Sequence, residues 1–129
     1  MSVTSTVTKI LVIEDEDSVR AAIEAGLEVI GGYEVHTAPD ADSGMRTLLE
    51  VAPDILLIDL VMPVTDGLEF LRNIGSDAEI MRPGKVVLMT ALENPVPEGS
   101  LGDLGIDLVL PKPFRLNELA SAVGAESPF

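Results

Sequence analysis

The sequence predicts an α/β fold, a doubly wound parallel sheet of five strands with helices on both faces, and three observations carry that prediction. Short unalternated aliphatic runs at residues 9–13, 55–58 and 86–89 have the composition of strands buried on both faces. Between them, apolar residues recur at helical spacing. Hydrophobic residues make up 47% of the 129-residue chain and aromatics only 3%, so the core must be built from Val, Ile, Leu, Ala and Met, which suits a helix-covered parallel sheet.

Taken in order, the first strand at residues 9–13 runs into Glu14, Asp15, Glu16 and Asp17. A helix then shows Val19, Ile23, Gly26 and Ile30 on one face, with Asp17 or Ser18 placed to complement its positive N-terminus. Residues 33–37 supply a second strand, and Met45, Leu48, Leu49 and Ala52 mark the next helix face. The third strand, residues 55–58, ends at Asp59 and is followed by a helix face of Leu68, Leu71 and Ile74. The fourth, residues 86–89, ends at Thr90. Residues 93–105, opening at Glu93, contain Pro95, Pro97, Gly99, Gly102 and Gly105, so the fourth helix should be short or irregular. Residues 107–110 form a fifth strand, and Leu116, Leu119, Ala120 and Val123 face a final helix. Strands alternating with helices imply right-handed crossovers. One domain is expected over residues 9–125, with a flexible tail at residues 1–8 and a short one at residues 126–129.

Charge and composition exclude several functions. Twenty-two Asp and Glu against eight Lys and Arg give a net charge of -14, which repels nucleic-acid phosphates and anionic membrane surfaces. No apolar run approaches the roughly twenty residues of a membrane span. The first eight residues lack the basic start and apolar centre of a secretory signal. With no cysteine there is neither a disulfide framework nor a thiolate metal site, which fits a cytoplasmic protein.

The chemistry-bearing residues gather where this fold class places ligands, outside the carboxyl ends of the strands. Asp59 interrupts an apolar run, where an ionised carboxylate is costly without a partner. A hard cation is the natural partner. Oxygen ligands from Asp15, Asp59 and a backbone carbonyl suit Mg²⁺, and Mn²⁺ would fit similarly. Lys112, between Pro111 and Pro113 at the end of the fifth strand, brings an ammonium to the same edge, and one of the two prolines is expected in the cis form. One divalent cation together with Lys112 offsets Glu14, Asp15 and Asp59. Thr90 adds a hydroxyl donor, completing a pocket able to hold a transferable phosphoryl group.

These residues closely resemble the response-regulator receiver family of two-component signalling. The likeness rests on Ile10 through Glu16, Asp54 through Pro63, Asp66-Gly67, Thr90-Ala91 and Lys112-Pro113-Phe114, in that order along nearly the whole chain. The resemblance implies strand order 2-1-3-4-5, as in flavodoxin-like and CheY-like folds, and a stand-alone domain acting through another protein. It makes Asp59 the acceptor of a phosphoryl group from a histidine kinase or histidine phosphotransfer protein. Asp15 would ligate Mg²⁺, Glu14 would do so directly or through water, and Val61 would contribute its backbone carbonyl. Thr90 and Lys112 would bind phosphoryl oxygens. The domain would be a signalling phosphoacceptor rather than an enzyme, a monomer or weak dimer, with its downstream protein unidentified. Edge placement of the fifth strand would accommodate Pro111.

There are three departures from the family pattern. Val109 stands where many members carry an aromatic that relays the state of the threonine. Residues 93–105 lack a regular fourth helix. Val61 and Leu92 are apolar where polar side chains in relatives help orient hydrolytic water, which implies slow self-dephosphorylation. The alternative to phosphorylation-dependent output is a receiver-like interaction module in which phosphorylation does not control output. A dehalogenase-type aspartyl-phosphate hydrolase would need a second Asp at the place of Val61, and a flavodoxin-like carrier would find its phosphate repelled by residues 14–17. For docking, the first helix offers Ala21 and Ala25 as a small apolar surface.

Overall fold

The computed structural model describes residues 7–91, 93 and 96–124. Among the described residues ten elements alternate: β1 (Thr8–Ile13), α1 (Asp17–Ile30), β2 (Tyr33–Ala38), α2 (Ala41–Val51), β3 (Ile55–Asp59), α3 (Gly67–Gly75), β4 (Lys85–Ala91), α4 (Ser100–Asp103), β5 (Leu108–Lys112) and α5 (Leu116–Ala122). All strand pairs are parallel, in the order β2-β1-β3-β4-β5. The predicted doubly wound architecture and strand order are therefore present. The fourth helix is a single four-residue turn.

Because side chains alternate across a strand, the sheet divides two cores. On one face Leu11, Ile13, Leu56, Ile58, Val86 and Leu88 pack with residues of α2 and α3 and with Ile106, and Leu104 and Val109 lie half-buried against them. On the other, Ile10, Val12, Leu57, Val87, Met89 and Leu110 pack with Ile23 and Leu27 of α1 and Leu119 of α5. β3 is buried along its whole length. That explains its unbroken apolar sequence.

Several local expectations are corrected. β1 starts at Thr8, inside the stretch assigned to the tail, and β5 is Leu108–Lys112 rather than 107–110. Asp107 instead precedes the strand, its carboxylate accepting from the Val86 N–H at 2.8 Å. In α1 the fully buried residues are Ile23 and Leu27, while Gly26 and Ile30 lie at the margin of that face. In α2 the buried set is Ala41, Gly44 and Leu48; Leu49 is 60% exposed, and Ala52 lies beyond the helix as its left-handed cap. Gly44 packs closely there, and a Cβ would force the end of the Ile13 side chain to shift. The residue before α1 is Glu16, whose side chain makes no capping bond; Asp17 opens the helix as a first-turn acid. Residues 1–6 and 125–129, where tails are expected, together with Leu92 and Pro95, lie outside the described residues.

Candidate phosphoryl-acceptor and cation site

Register builds the site. Ile13 pairs with Ile58, so Glu14 follows β1 beside the point where β3 ends in Asp59. On the far side Ala91 of β4 pairs with Lys112 of β5. By alternation Glu14, Asp59 and Lys112 continue the row that packs against α1 and α5, whereas Thr90 continues the row facing α2 and α3.

Glu14 is wholly buried and Asp59 is 6% exposed, while Asp15 turns outward to solvent. Carboxylate oxygens of all three lie within 4.8 Å of one another. The Lys112 ammonium donates to Glu14 Oε1 at 2.5 Å and sits 3.1 Å from Asp59 Oδ2. Three carboxylates less one ammonium leave two negative charges, the complement of one divalent cation, and an all-oxygen donor set suits a hard one. Partial burial, followed by the hydrogen bond and charge of Glu14, pushes the Asp15 carboxyl above its ordinary pKa. Burial alone would depress Lys112, but its bond to Glu14 and the charge of Asp59 outweigh that and raise it. The ammonium is therefore fixed as a cation.

The loop after β3 is shaped by two neighbours. Asp66 caps α3 by accepting from the Glu69 N–H at 2.8 Å, and Gly67 places its N–H 2.9 Å from the Leu60 carbonyl. A Cβ at Gly67 would collide with the carbonyl oxygen of Asp59, so this approach requires glycine. The Asp66-Gly67 pair thus locks α3 to the end of β3. Val61 lies in this loop with its side chain 53% exposed. Thr90 is buried, and its hydroxyl donates to the Ala91 carbonyl at 3.2 Å. The Lys112–Pro113 bond is cis, so the proline after the lysine is the one in that form. β5 is an edge strand, and Pro111 within it is exposed.

A groove of about 730 Å³ borders this site between α1 and α5, lined by Ser18, Val19, Ala22, Lys112, Phe114 and Leu116 among others. Its small residues on α1 are Ser18, Ala22 and Gly26, while Ala21 and Ala25, expected from sequence as a small docking surface, are exposed and lie outside the groove. Helical phase explains the difference, since Ala22 and Gly26 share the stripe that turns towards α5. Sequence reasoning also missed Arg20. Its guanidinium donates to the Glu14 carbonyl at 2.9 Å and to Asp17 Oδ1 at 2.6 Å.

Comparison with known proteins gives a concordant result. Response regulator MprA of Mycobacterium ulcerans is 35% identical over 91% of this chain and 49% of its own length. The chain spans about half the length of the curated relatives it matches. The solved response regulator receiver domain protein of Clostridium thermocellum superposes with a TM-score of 0.71 at 30% identity, covering 90% of both chains. Chemotaxis response regulator CheY4 of Vibrio cholerae gives 0.80 at 25% identity, covering 92% of this chain and 97% of that one. Among the described residues no helix is long and apolar enough to cross a membrane. The model of the response regulator receiver domain matches residues 10–124, and the chain belongs to that family.

Proposed function

We propose that the chain is a phosphoacceptor in two-component or phosphorelay signalling, with Asp59 taking the phosphoryl group from a phosphohistidine. The observation that carries this reading is a buried Asp59 with Lys112 at 3.1 Å and Glu14 and Asp15 alongside, at the carboxyl edge of the sheet. A carboxylate oxygen of Asp59 attacks phosphorus in line as the N–P bond breaks, and the histidine imidazole leaves. Lys112 neutralises charge on the phosphoryl oxygens, and rotation of the Thr90 hydroxyl lets it donate to one of them. Asp15 and Asp59, with Glu14 directly or through water and the Val61 carbonyl, would hold Mg²⁺ or Mn²⁺. Bound there, the ion would offset the charge of the incoming phosphoryl group.

The donor is a histidine kinase or histidine phosphotransfer protein, and the α1–α5 groove offers it an apolar seat beside Lys112. The domain signals through protein contacts, since the charge of -14 on these 129 residues disfavours their own direct contact with nucleic acid. The domain assists its own phosphorylation and dephosphorylation without turning over a separate substrate.

Intact-mass measurement tests the acceptor role, using Mg²⁺ and a small phosphodonor on the native chain and on Asp59→Asn. One metal-dependent phosphate adduct is expected on the native chain and none on the variant. No adduct under any donor would favour the second reading, an interaction module uncoupled from phosphorylation. That reading draws on Val109 in the relay position and on the four-residue α4. Chase of the label after donor removal tests the slow self-dephosphorylation implied by exposed, apolar Val61.

A further inference from the structure

Arg20 performs none of the chemistry above, yet it closes the acidic loop from behind. Its backbone N–H donates to the Glu16 carbonyl at 2.9 Å. Its Nη1 reaches the Glu14 carbonyl at 2.9 Å and its Nη2 reaches Asp17 Oδ1 at 2.6 Å. These contacts bracket residues 14–17 from both ends, and the guanidinium side chain is only 20% exposed. Glu14 is thereby held at two points, its carboxylate by Lys112 and its carbonyl by Arg20.

Helix stability does not account for this placement. A cation near the start of a helix faces the positive end of the dipole, and the Asp17 side chain that pairs with it is 90% exposed, where an ion pair gains little. The fork geometry of the guanidinium does account for it, because two of its N–H groups can hold a carbonyl and a carboxylate at once.

We propose that Arg20 is a positioning residue for the cation site, fixing the backbone of Glu14 so that Glu14 and Asp15 present their carboxylates towards Asp59. The proposal rests on reading that cluster as a Mg²⁺ site. Two effects predict opposite outcomes when Arg20 is removed. Loss of a nearby positive charge should tighten cation binding. Loss of an outer-shell bond that orients a ligand should weaken it, by about 10-fold or more.

Calorimetric titration of the full chain with Mg²⁺ at constant ionic strength separates them, with Arg20→Ala, Arg20→Lys and Asp15→Asn measured beside the native protein. The expected result is about 10-fold weaker binding in Arg20→Ala. Arg20→Lys, which keeps the charge but loses the fork, should also bind more weakly than the native chain. Amide exchange should quicken at residues 14–17 and stay unchanged along β3. Affinity equal to or tighter than native in Arg20→Ala overturns the proposal, and if that variant does not fold, native affinity in Arg20→Lys does so. A native chain that binds no Mg²⁺ overturns the cation reading itself, a result distinct from native binding that Arg20 does not influence.

Discussion

Glu14 and Asp59 stand at the ends of central strands and are all but sealed from solvent, whereas the stretch leading to β5 depends on a four-residue helix. The first region is fixed by neighbours on every side: Lys112 across the pocket, Arg20 behind the loop and Gly67 against the Asp59 carbonyl. In the second, one helical turn is too short to be stable alone and borrows its order from packing. Ser100 and Ile106 are buried, Leu104 and Val109 rest against the core, and Arg82 from the loop before β4 donates to the Leu104 carbonyl. The difference teaches that the acidic site is anchored in central strands, while the neighbouring segment owes its order to a few contacts with the core.

Four measurements would break or sharpen that contrast. The largest effect is expected for Lys112→Ala, which strands Glu14 and Asp59 without their ammonium. Breaking a buried pair in this way costs about 3 kcal/mol, the low end because Lys112 is partly exposed, and urea unfolding with chelator present should read it. A loss below about 1 kcal/mol would mean that the pocket is less rigid than described.

Val109→Tyr would probe the other region. The larger ring must displace Leu104 or its neighbours, so stability should fall by about 1–2 kcal/mol while the phosphorylation rate at Asp59 is unchanged. A changed rate would couple the two regions after all. Arg82→Ala should be smaller still and local, costing about 1 kcal/mol, with faster amide exchange confined to residues 104–107. Spread of that exchange into β3 would argue against a separate soft segment.

The smallest expected effect concerns sign. The folded-state pKa of Asp15 is raised, so its contribution favours folding below the unfolded value and is lost as pH rises through the folded one. Without metal, Asp15→Asn should therefore slightly raise the melting temperature at neutral pH. That gain should vanish in acid, where Asp15 is protonated in the native chain. Thermal scans of both proteins across pH with chelator provide the check.

Much of this was legible in sequence because strands buried on both faces announce themselves as unbroken apolar runs, and an acid ending such a run has few explanations. The irregular fourth helix was legible for a similar reason, since proline and glycine act locally. What sequence obscured depends on phase and reach. A helix face is misassigned when one residue is counted into the wrong stripe, as with Leu49 for Gly44. Arg20 and Arg82 act through long side chains on carbonyls elsewhere in the chain, and no spacing rule marks a backbone partner. Gly67 could be placed from its motif, but its reason is a close contact visible only in three dimensions.

The alternation of side chains across the sheet has a consequence for traffic. Glu14, Asp59 and Lys112 continue the row on the α1–α5 side, whereas Thr90 continues the row on the side of α2, α3 and Val109. The sheet is a wall with its doorway at one rim. A molecule seated in the α1–α5 groove would leave the opposite side of the sheet uncovered, so the two rows can be approached from different surfaces.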